Sequence, residues 1–193
     1  MAAMWKSILV LLGITLALTA VTKTPINQEQ TTPTAKPSGD LKYKTPEGWA
    51  VDKPSSAMRV AQYKLPKAAG DTEDGLLVLY YFGERQGGTT QANIDRWIGQ
   101  MQQPDGSTSK DKSKSEALTI NGLKVTTVDV SGTYVAETAP GSGTFTNNPG
   151  YRLRAAVVET PKGSYYVKLI GPQKTIGQWG DSFTAYLNSF EFK

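Results

Sequence analysis

The sequence lacks two residue types altogether: none of its 193 residues is cysteine and none is histidine. Without cysteine the chain can form no disulfide, no thiolate nucleophile and no lipid anchor of the lipoprotein kind. Without histidine it has no Ser-His or Cys-His catalytic pair, and the two absences together exclude zinc sites built on cysteine and histidine. We therefore predict no catalytic residues, no metal site and no cofactor, and we expect an apolar core alone to hold the fold.

The longest apolar run lies near the N-terminus. Lys6 precedes residues 7–21 (SILVLLGITLALTAV), and a basic residue followed by a run of this length is typical of a signal peptide. The run is shorter than the roughly 20 apolar residues that a membrane-spanning helix needs. We predict that residues 1–22 are a signal peptide or an N-terminal anchor. The protein should then be extracytoplasmic, in the periplasm or secreted, and associated with the membrane if the leader is uncleaved.

Composition divides the rest of the chain into a linker and one domain. Residues 23–40 are rich in Thr, Pro and Gln and contain one large apolar residue, Ile26. Such a segment cannot bury enough apolar surface to fold, which predicts a linker. No internal repeat and no second change of composition follows, so residues 41–193 should form a single domain. The net charge of +4 comes without a cluster of Lys and Arg, and we predict no binding to nucleic acid.

Strand patterns dominate this domain. Residues 76–82 (LLVLYYF) contain no charged or amide side chain and should form a central strand that is covered on both faces. Asn121-Gly122 is a strong signal for a two-residue hairpin turn. A second hairpin is predicted to turn at residues 160–163, where Pro and Gly interrupt two apolar stretches.

Two segments have the apolar spacing of helices that pack on a sheet. Residues 90–103 carry apolar side chains at positions i, i+3, i+4 and i+7, namely Ile94, Trp97, Ile98 and Met101. Residues 176–190 repeat apolar side chains at intervals of three and four, and Gly177 and Gly180 weaken the first turn of that helix. Because the close connections between strands are hairpins, we predict an α+β fold, an antiparallel sheet of about six to seven strands flanked by helices.

Two motifs give the domain a family resemblance. One is TPEGW at residues 45–49. The other is a GG-x(4)-N-x(2)-RW-x(2)-Q pattern, which falls here on Gly87, Gly88, Asn93, Arg96, Trp97 and Gln100. Together with the order of strands and helices, the motifs resemble the PsbP-like fold, and the second is similar to a pattern in a group of bacterial exported proteins and lipoproteins. The resemblance covers nearly all of residues 41–193 and implies an α/β/α sandwich. It implies no particular activity, because one fold supports many functions.

The second motif supplies the candidate site. Asn93, Arg96 and Gln100 are spaced i, i+3 and i+7 and should line one stripe of the helix beside its buried face. Two amides and a guanidinium can bind a carboxylate, a carbonyl or the backbone of another chain. The same side chains could instead tie the helix to neighbouring loops. Gly87 and Gly88 precede the helix, where they either form a tight turn or leave backbone N–H groups free for an anion.

Two functional hypotheses follow. The first is an exported non-enzymatic domain that binds an unknown envelope protein or a small ligand through the candidate site. The alternative is a hydrolase acting outside the cytoplasm with two carboxylates, for example Glu84 and Asp95, since Asp and Glu can act as acid and base without histidine. Two carboxylates about 5 to 9 Å apart in one cleft would favour the hydrolase. An open polar patch rimmed by aromatic side chains would favour binding.

Overall fold

The computed structural model describes residues 41–139 and 141–193. The leader expected at residues 1–22 and the linker expected at residues 23–40 lie outside the described residues, so both stay predictions. Within the described ranges, no helix combines the length and the apolar character needed to cross a membrane.

The described part of the chain contains ten strands and four helices. In chain order they are β1 (Leu41–Lys42), β2 (Ala50–Asp52), β3 (Arg59–Leu65), β4 (Gly75–Tyr81), α1 (Thr90–Gly99), β5 (Met101–Gln102), α2 (Ser109–Lys112), β6 (Lys114–Ile120), β7 (Leu123–Tyr134), β8 (Asn148–Thr160), β9 (Gly163–Pro172), α3 (Gln173–Gln178), α4 (Gly180–Asn188) and β10 (Glu191–Phe192). Every strand pairing is antiparallel. This confirms the predicted α+β class and the predicted hairpin connections.

Eight of the strands form one sheet. Their order is β2-β3-β4-β9-β8-β7, and β5 and β6 both pair with the outer edge of β7. β1 and β10 pair with each other as a separate two-stranded sheet. The main sheet is therefore larger than the six to seven strands expected. One reason is β5, which has two residues and is too short to show an alternating pattern in the sequence.

Helices pack on both faces of the sheet, as the resemblance to the PsbP-like fold implies. On one face α1 packs on β7, β8 and β9. The apolar side chains of the helix, of these strands and of β5 form one cluster there: Ile94, Trp97, Ile98, Met101, Val128, Val130, Leu153, Ala155, Val157 and Tyr166. On the other face α3 and α4 cover a second cluster, which includes Leu77, Leu79, Val167, Leu169, Ile176, Phe183 and Leu187. Alternate residues of β4 point to opposite faces. Leu77 and Leu79 are buried in the second cluster, whereas the other face of this strand is covered only in part, so the expected cover on both faces is incomplete.

The first helix is shorter than the sequence predicted. α1 ends at Gly99, whereas the apolar spacing predicted a helix over residues 90–103. Gln100 is the C-cap, and its backbone N–H donates to the carbonyl oxygen of Arg96 at 3.2 Å. Met101 then begins β5, although it is still buried in the cluster under α1. Burial was therefore predicted correctly for this residue, and its secondary structure was not.

The predicted C-terminal helix is divided in two. α3 ends at Gln178 and α4 begins at Gly180, in the region where Gly177 and Gly180 predicted a weak turn. Trp179 lies between the two helices, and its indole N–H donates to the carbonyl oxygen of Pro66 at 2.8 Å. This hydrogen bond fixes the Trp179 side chain, and with it the junction between α3 and α4, against the loop after β3.

α1 does not cover the whole of its face. It lies over β7 and β8, so Leu76 and Tyr80 of β4, which point to the same face, stay partly exposed. Lys168 of β9 pairs in register with Val78 of β4 and therefore lies where the cover of α1 ends. Polar side chains gather along this uncovered part of the sheet.

Candidate functional site: a cleft beside Lys168

Lys168 is the charged residue of a strand whose inward face is otherwise uncharged. In β9 the side chains of Tyr166, Lys168 and Ile170 alternate onto the face that α1 covers. The neighbours of Lys168 across the sheet are Val78 on β4 and Ala155 on β8. The lysine side chain is partly buried, although lysine is mostly exposed in folded proteins.

Two side chains hold the Lys168 ammonium in place. Its Nζ donates one hydrogen bond to Gln100 Oε1 at 2.6 Å and another to the Tyr134 hydroxyl at 3.0 Å. The ammonium also lies 4.8 Å from the centre of the Tyr134 ring, within the range of a cation–π contact. Gln100 is fixed in turn, because its backbone carbonyl accepts a hydrogen bond from the N–H of Val135 at 2.8 Å. The end of α1 and the end of β7 thus position the ammonium together.

A cleft of about 340 Å³ opens beside this ammonium, and we call it the Lys168 cleft. Apolar side chains of β4 and β9 form its floor, Arg59 and Tyr80 form one wall, and Tyr134 with the following loop forms the other. The residues lining it are Arg59, Leu76, Val78, Tyr80, Tyr134, Glu137, Thr138, Ala139, Thr146, Lys168 and Ile170. An adjoining pocket shares Glu137 and is lined by Arg96, Gly99, Gln100, Val135, Ala136 and Phe145.

Arg59 is the second cation of the cleft. Its Nη1 donates to Gln62 Oε1 at 2.6 Å, and Gln62 Nε2 donates to Asp52 Oδ2 at 2.6 Å. Asp52 is thus linked to Arg59 through a neutral amide. The guanidinium lies 5.6 Å from the centre of the Tyr80 ring. Arg59 is held in the wall of the cleft by one hydrogen bond and one aromatic contact.

Positive charge exceeds negative charge in the Lys168 cleft. Within residues 41–139 and 141–193, neither Arg59 nor Lys168 forms an ion pair with a carboxylate. The described lining includes one carboxylate, Glu137, whose Oε2 accepts a hydrogen bond from the N–H of Gly141 at 2.9 Å. Arg96 adds positive charge in the adjoining pocket. Partly buried cations without a counterion are costly, so the cleft has the electrostatic character of an anion site.

Burial changes the protonation equilibria of the cleft. Burial, followed by a smaller contribution from the charge of Arg96, lowers the pKa of Lys168 to about 8. Burial also raises the pKa of Tyr134 and the pKa of Tyr80, the latter against the opposing effect of Arg59. Both phenols therefore stay neutral over the range in which Lys168 titrates. An anion bound in the cleft would favour the charged form of the lysine.

The structure divides the five residues of the sequence-predicted site into two groups. Gly87, Gly88 and Asn93 lie together at the start of α1, whereas Arg96 and Gln100 line a pocket toward its end, where Gln100 also contacts Lys168. Asn93 is buried, and its Nδ2 donates to the carbonyl oxygen of Gly87 at 2.8 Å. Its Oδ1 accepts a hydrogen bond from Nη2 of Arg96. Asn93 thus ties the helix to the preceding turn.

Gly87 and Gly88 form a tight turn that closes on Tyr166. Both glycines have a positive φ, +88° and +79°, which glycine adopts without strain. The Tyr166 hydroxyl donates to the carbonyl oxygen of Gly88 at 3.1 Å. Thr89 Oγ1 accepts a hydrogen bond from the N–H of Ala92 at 3.2 Å, so the chain caps its own helix. Anion binding by these glycines stays a prediction.

Arg96 and Gln100 are the members of the stripe that reach a concave surface. Arg96 is exposed and Gln100 is partly buried. Both line the pocket that adjoins the Lys168 cleft, together with Phe145, whose side chain is 58% exposed. A β-bridge between Glu137 and Phe145 holds the loop that carries Phe145.

The two carboxylates considered for a hydrolase have different surroundings. Glu84 lines a shallow pocket at the turn between β8 and β9, with Arg85 and Thr160. Asp95 is not among the residues lining that pocket. It lies on the exposed face of α1, where its Oδ1 accepts a hydrogen bond from Gln91 Nε2 at 2.9 Å.

Another pocket lies on the opposite face of the sheet, between β6 and α4. Two of its charged residues, Arg154 and Asp129, are paired inside the fold. Arg154 Nε lies 3.3 Å from Asp129 Oδ2, and Arg154 Nη1 donates to the carbonyl oxygen of Gly180 at 2.8 Å. Asp129 also accepts two hydrogen bonds from Arg152, at 2.8 and 2.6 Å. Arg154 and Asp129 are therefore already engaged with the fold, whereas Lys168 and Arg59 are not paired with a carboxylate in the described residues.

One polar contact of the cleft, Gln100, was predicted from the sequence, and the other lining residues were not. A signal for Lys168 is present in residues 164–170 (SYYVKLI), where the lysine occupies the same alternating face as Tyr166 and Ile170. A charge on the inward face of a buried strand is unusual enough to note. The other lining residues come from separate strands and loops, and no spacing in the sequence relates them.

No protein-family model and no curated protein matches the chain. Solved structures similar to it include a protein of unknown function from Pseudomonas aeruginosa, with 12% identity, coverage of 68% of this chain and 81% of that chain, and a TM-score of 0.44. They also include LpqN of Mycobacterium tuberculosis, a protein involved in cell envelope biogenesis, with 10% identity, coverage of 79% and 83%, and a TM-score of 0.48. A third is the cyanobacterial PsbP of Synechocystis sp. PCC 6803, with 11% identity, coverage of 80% and 87%, and a TM-score of 0.47. PsbP is the family that the sequence motifs resemble.

Proposed function

We propose that the chain is an exported, non-enzymatic domain that binds a small ligand in the Lys168 cleft. The observation that carries the proposal is the Lys168 ammonium, which is partly buried, held by two neutral partners, Gln100 and Tyr134, and not paired with a carboxylate in the described residues. The rim formed by Tyr80 and Tyr134 adds the aromatic character expected of a binding patch.

The size of the cleft supports a small ligand rather than a protein. Its volume of about 340 Å³ falls in the range of roughly 300 to 1,000 Å³ that is typical of small-molecule sites. Its lining combines an apolar floor with a few polar groups, as such sites do. A protein partner would need a contact of about 800 Å² on each side, most of it outside the cleft.

The same lining is the reason to prefer binding over hydrolysis. Hydrolysis by carboxylates needs two of them facing one cleft. Among the described residues that line the Lys168 cleft, Glu137 is the one carboxylate. Glu84 and Asp95 lie elsewhere.

Export is proposed from the leader sequence. N-terminal sequencing of the protein purified from its host should find a mature start between residues 21 and 40. Recovery of intact Met1 from the cytoplasmic fraction would contradict export and would leave the binding proposal to be judged separately.

The binding site itself is tested by NMR. Neutral, cationic and anionic aromatic fragments are added to the ¹⁵N-labelled protein, and backbone amide shifts are recorded. We expect at least one fragment to shift the amides of Lys168, Gln100 and Tyr134, because these residues meet at the cleft. The amide of Arg154, in the pocket on the opposite face, is the internal control. Fragments that shift only Arg154 and its neighbours, or that shift neither region, would contradict the proposal.

A further inference from the structure

We propose that the ligand of the Lys168 cleft is a small organic anion, a carboxylate or sulfonate carried by a flat apolar group. This inference rests on the proposed function and adds the chemical class of the ligand. The anionic group accepts hydrogen bonds from Lys168 and Arg59. The apolar group lies on the floor formed by Leu76, Val78 and Ile170.

The ammonium of Lys168 has a donor to spare. It carries three N–H groups, and two of them are engaged by Gln100 and Tyr134. Both partners are neutral, so neither compensates the positive charge. A ligand that brings a negative charge supplies the missing counterion, and hydrogen bonds between charged groups are roughly twice as strong as neutral ones.

Arg59 supplies the second group of donors. Its guanidinium has five N–H groups in a planar fork, and Gln62 accepts a hydrogen bond from one of its nitrogens, Nη1. The contact with the Tyr80 ring keeps the guanidinium in the wall of the same cleft that Lys168 lines. A planar fork matches two oxygens of one carboxylate or sulfonate group. Arg59 and Lys168 together therefore favour such a group over a neutral amide or alcohol.

The floor of the cleft explains why the anion should be organic. Leu76 and Ile170 pair in register across β4 and β9 and are both partly exposed, and Val78 lines the cleft between Leu76 and Tyr80. Inorganic phosphate or sulfate would leave this apolar surface in water. A flat apolar group on the strands would cover it and gain the free energy of apolar burial.

The affinity for such an anion should depend on pH through Lys168. Five charged or titratable groups surround its ammonium. They are Arg96 from α1, Tyr134 from β7, Glu137 from the loop after β7, Tyr80 from β4 and Arg59 from β3. Burial keeps the two phenols neutral over the range in which Lys168 titrates. Because the pKa of Lys168 is lowered to about 8, the free cleft loses this positive charge above that pH. Anion binding should weaken there.

The test is an NMR titration of the whole protein with 1-naphthoate, with 1-naphthamide as a neutral analogue of the same shape and inorganic phosphate as a small anion. At neutral pH we expect 1-naphthoate to shift the amides of Lys168 and Gln100 and to bind at least about tenfold more tightly than 1-naphthamide. Phosphate should shift them little. Lys168→Met should remove most of the preference for 1-naphthoate. Lys124→Met, at a surface lysine paired with Glu159, should leave it unchanged.

Each alternative outcome has a distinct meaning. Binding of 1-naphthamide in the cleft as tightly as 1-naphthoate would overturn the ligand class and leave the proposed binding site standing. Phosphate binding as tight as 1-naphthoate would overturn the organic part of the inference. Titrations in which neither naphthalene compound shifts the cleft amides would overturn the ligand class, and the fragment titrations described above decide separately whether the cleft binds a small ligand. Shifts of these amides with protein concentration alone would place a second copy of the chain in the cleft and overturn the inference.

Two further measurements keep the test decisive if Lys168→Met does not fold. Arg59→Met removes the other donor and should also reduce the preference for 1-naphthoate. The affinity of the unaltered protein for 1-naphthoate should fall between about pH 7 and about pH 10, and an affinity that does not fall would overturn the inference.

Discussion

Gly87 and Tyr166 approach each other so closely that a Cβ atom added at Gly87 would lie 2.6 Å from the Tyr166 hydroxyl oxygen. Tyr166 is 1% exposed, under α1, so its ring has little room to move away. The turn before α1 can therefore rest on β9 only with glycine at this position. This contact sets where α1 begins on the sheet.

Gly87→Ala should destabilise the protein more than Gly70→Ala. Both glycines have nearly the same positive φ, +88° and +89°, so both substitutions cost about 1 to 2 kcal/mol for the left-handed conformation. Nothing lies within 4 Å of a Cβ at Gly70, whereas a Cβ at Gly87 collides with Tyr166. The collision should add about 1 to 3 kcal/mol, measured by urea unfolding. Equal losses for the two variants would mean that the contact with Tyr166 does not constrain the turn.

Asn93→Asp should be strongly destabilising. Asn93 is 1% exposed, and its Nδ2 donates to the carbonyl oxygens of Gly87 and Thr89, both at 2.8 Å. Aspartate has no donor there and would place a buried negative charge beside two carbonyl oxygens. Its ion pair with Arg96, which already contacts Oδ1, offsets only part of this, and the net cost should be about 3 kcal/mol. Asp95→Asn, on the exposed face of the same helix, is the control and should stay within about 0.5 kcal/mol. Denaturant unfolding near neutral pH measures both, and a loss under about 1 kcal/mol for Asn93→Asp would refute the structural role.

Trp97→Ala and Arg96→Ala, which are neighbours in sequence, should differ widely. Trp97 is 4% exposed in the cluster under α1, so truncation should cost about 3 to 5 kcal/mol. Arg96 is exposed, so its truncation should cost about 1 kcal/mol or less. Thermal and urea unfolding give both values. Similar losses at the two positions would show that the guanidinium contact with Asn93 supports the fold as much as the buried ring does.

Tyr186→Phe should raise stability. The Tyr186 hydroxyl is buried without a hydrogen-bond partner in the described residues, and burial raises the pKa of this phenol far above its ordinary value. Removing an unsatisfied buried hydroxyl should stabilise the protein by about 1 kcal/mol. Tyr81→Phe is the matched control. Its hydroxyl donates to the carbonyl oxygen of Lys162 at 2.6 Å, so its removal should destabilise by a similar amount. A loss of stability in Tyr186→Phe would mean that the hydroxyl has a partner in solution.

Lys168→Met should change how stability depends on pH. The pKa of Lys168 is lowered to about 8 in the folded protein, and it is about 10.4 in an unfolded chain. Between these values the unfolded chain binds more protons, so the free energy of unfolding rises with pH. The penalty of the buried charge, at most about 3 kcal/mol, is full below pH 8 and is gone above about pH 10.4. Urea unfolding should show that the free energy of unfolding of the unaltered protein rises, relative to that of Lys168→Met, as the pH increases across this range. A difference between the two proteins that stays constant with pH would contradict the lowered pKa.

Several features of the protein were determined by the sequence itself, because they depend on neighbouring residues. The apolar run at residues 76–82 predicted an interior strand, and β4 is interior to the sheet, although one of its faces is covered only in part. The spacing of Ile94, Trp97 and Ile98 places them on one face of a helix whatever that helix packs against. Hairpin turns are equally local, and Asn121-Gly122 turns as its backbone preferences require.

The division of the candidate stripe was decided by tertiary structure. Asn93 and Gln100 are both amides on one stripe, and the sequence treats them alike. Asn93 turns toward the carbonyl oxygens of the preceding turn, whereas Gln100 meets Lys168, 68 positions further along the chain. The Lys168 cleft exists because α1 ends at Gly99 and leaves part of β4 and β9 uncovered. Where a helix stops over a sheet depends on contacts between distant residues, and no local pattern of side chains contains that information.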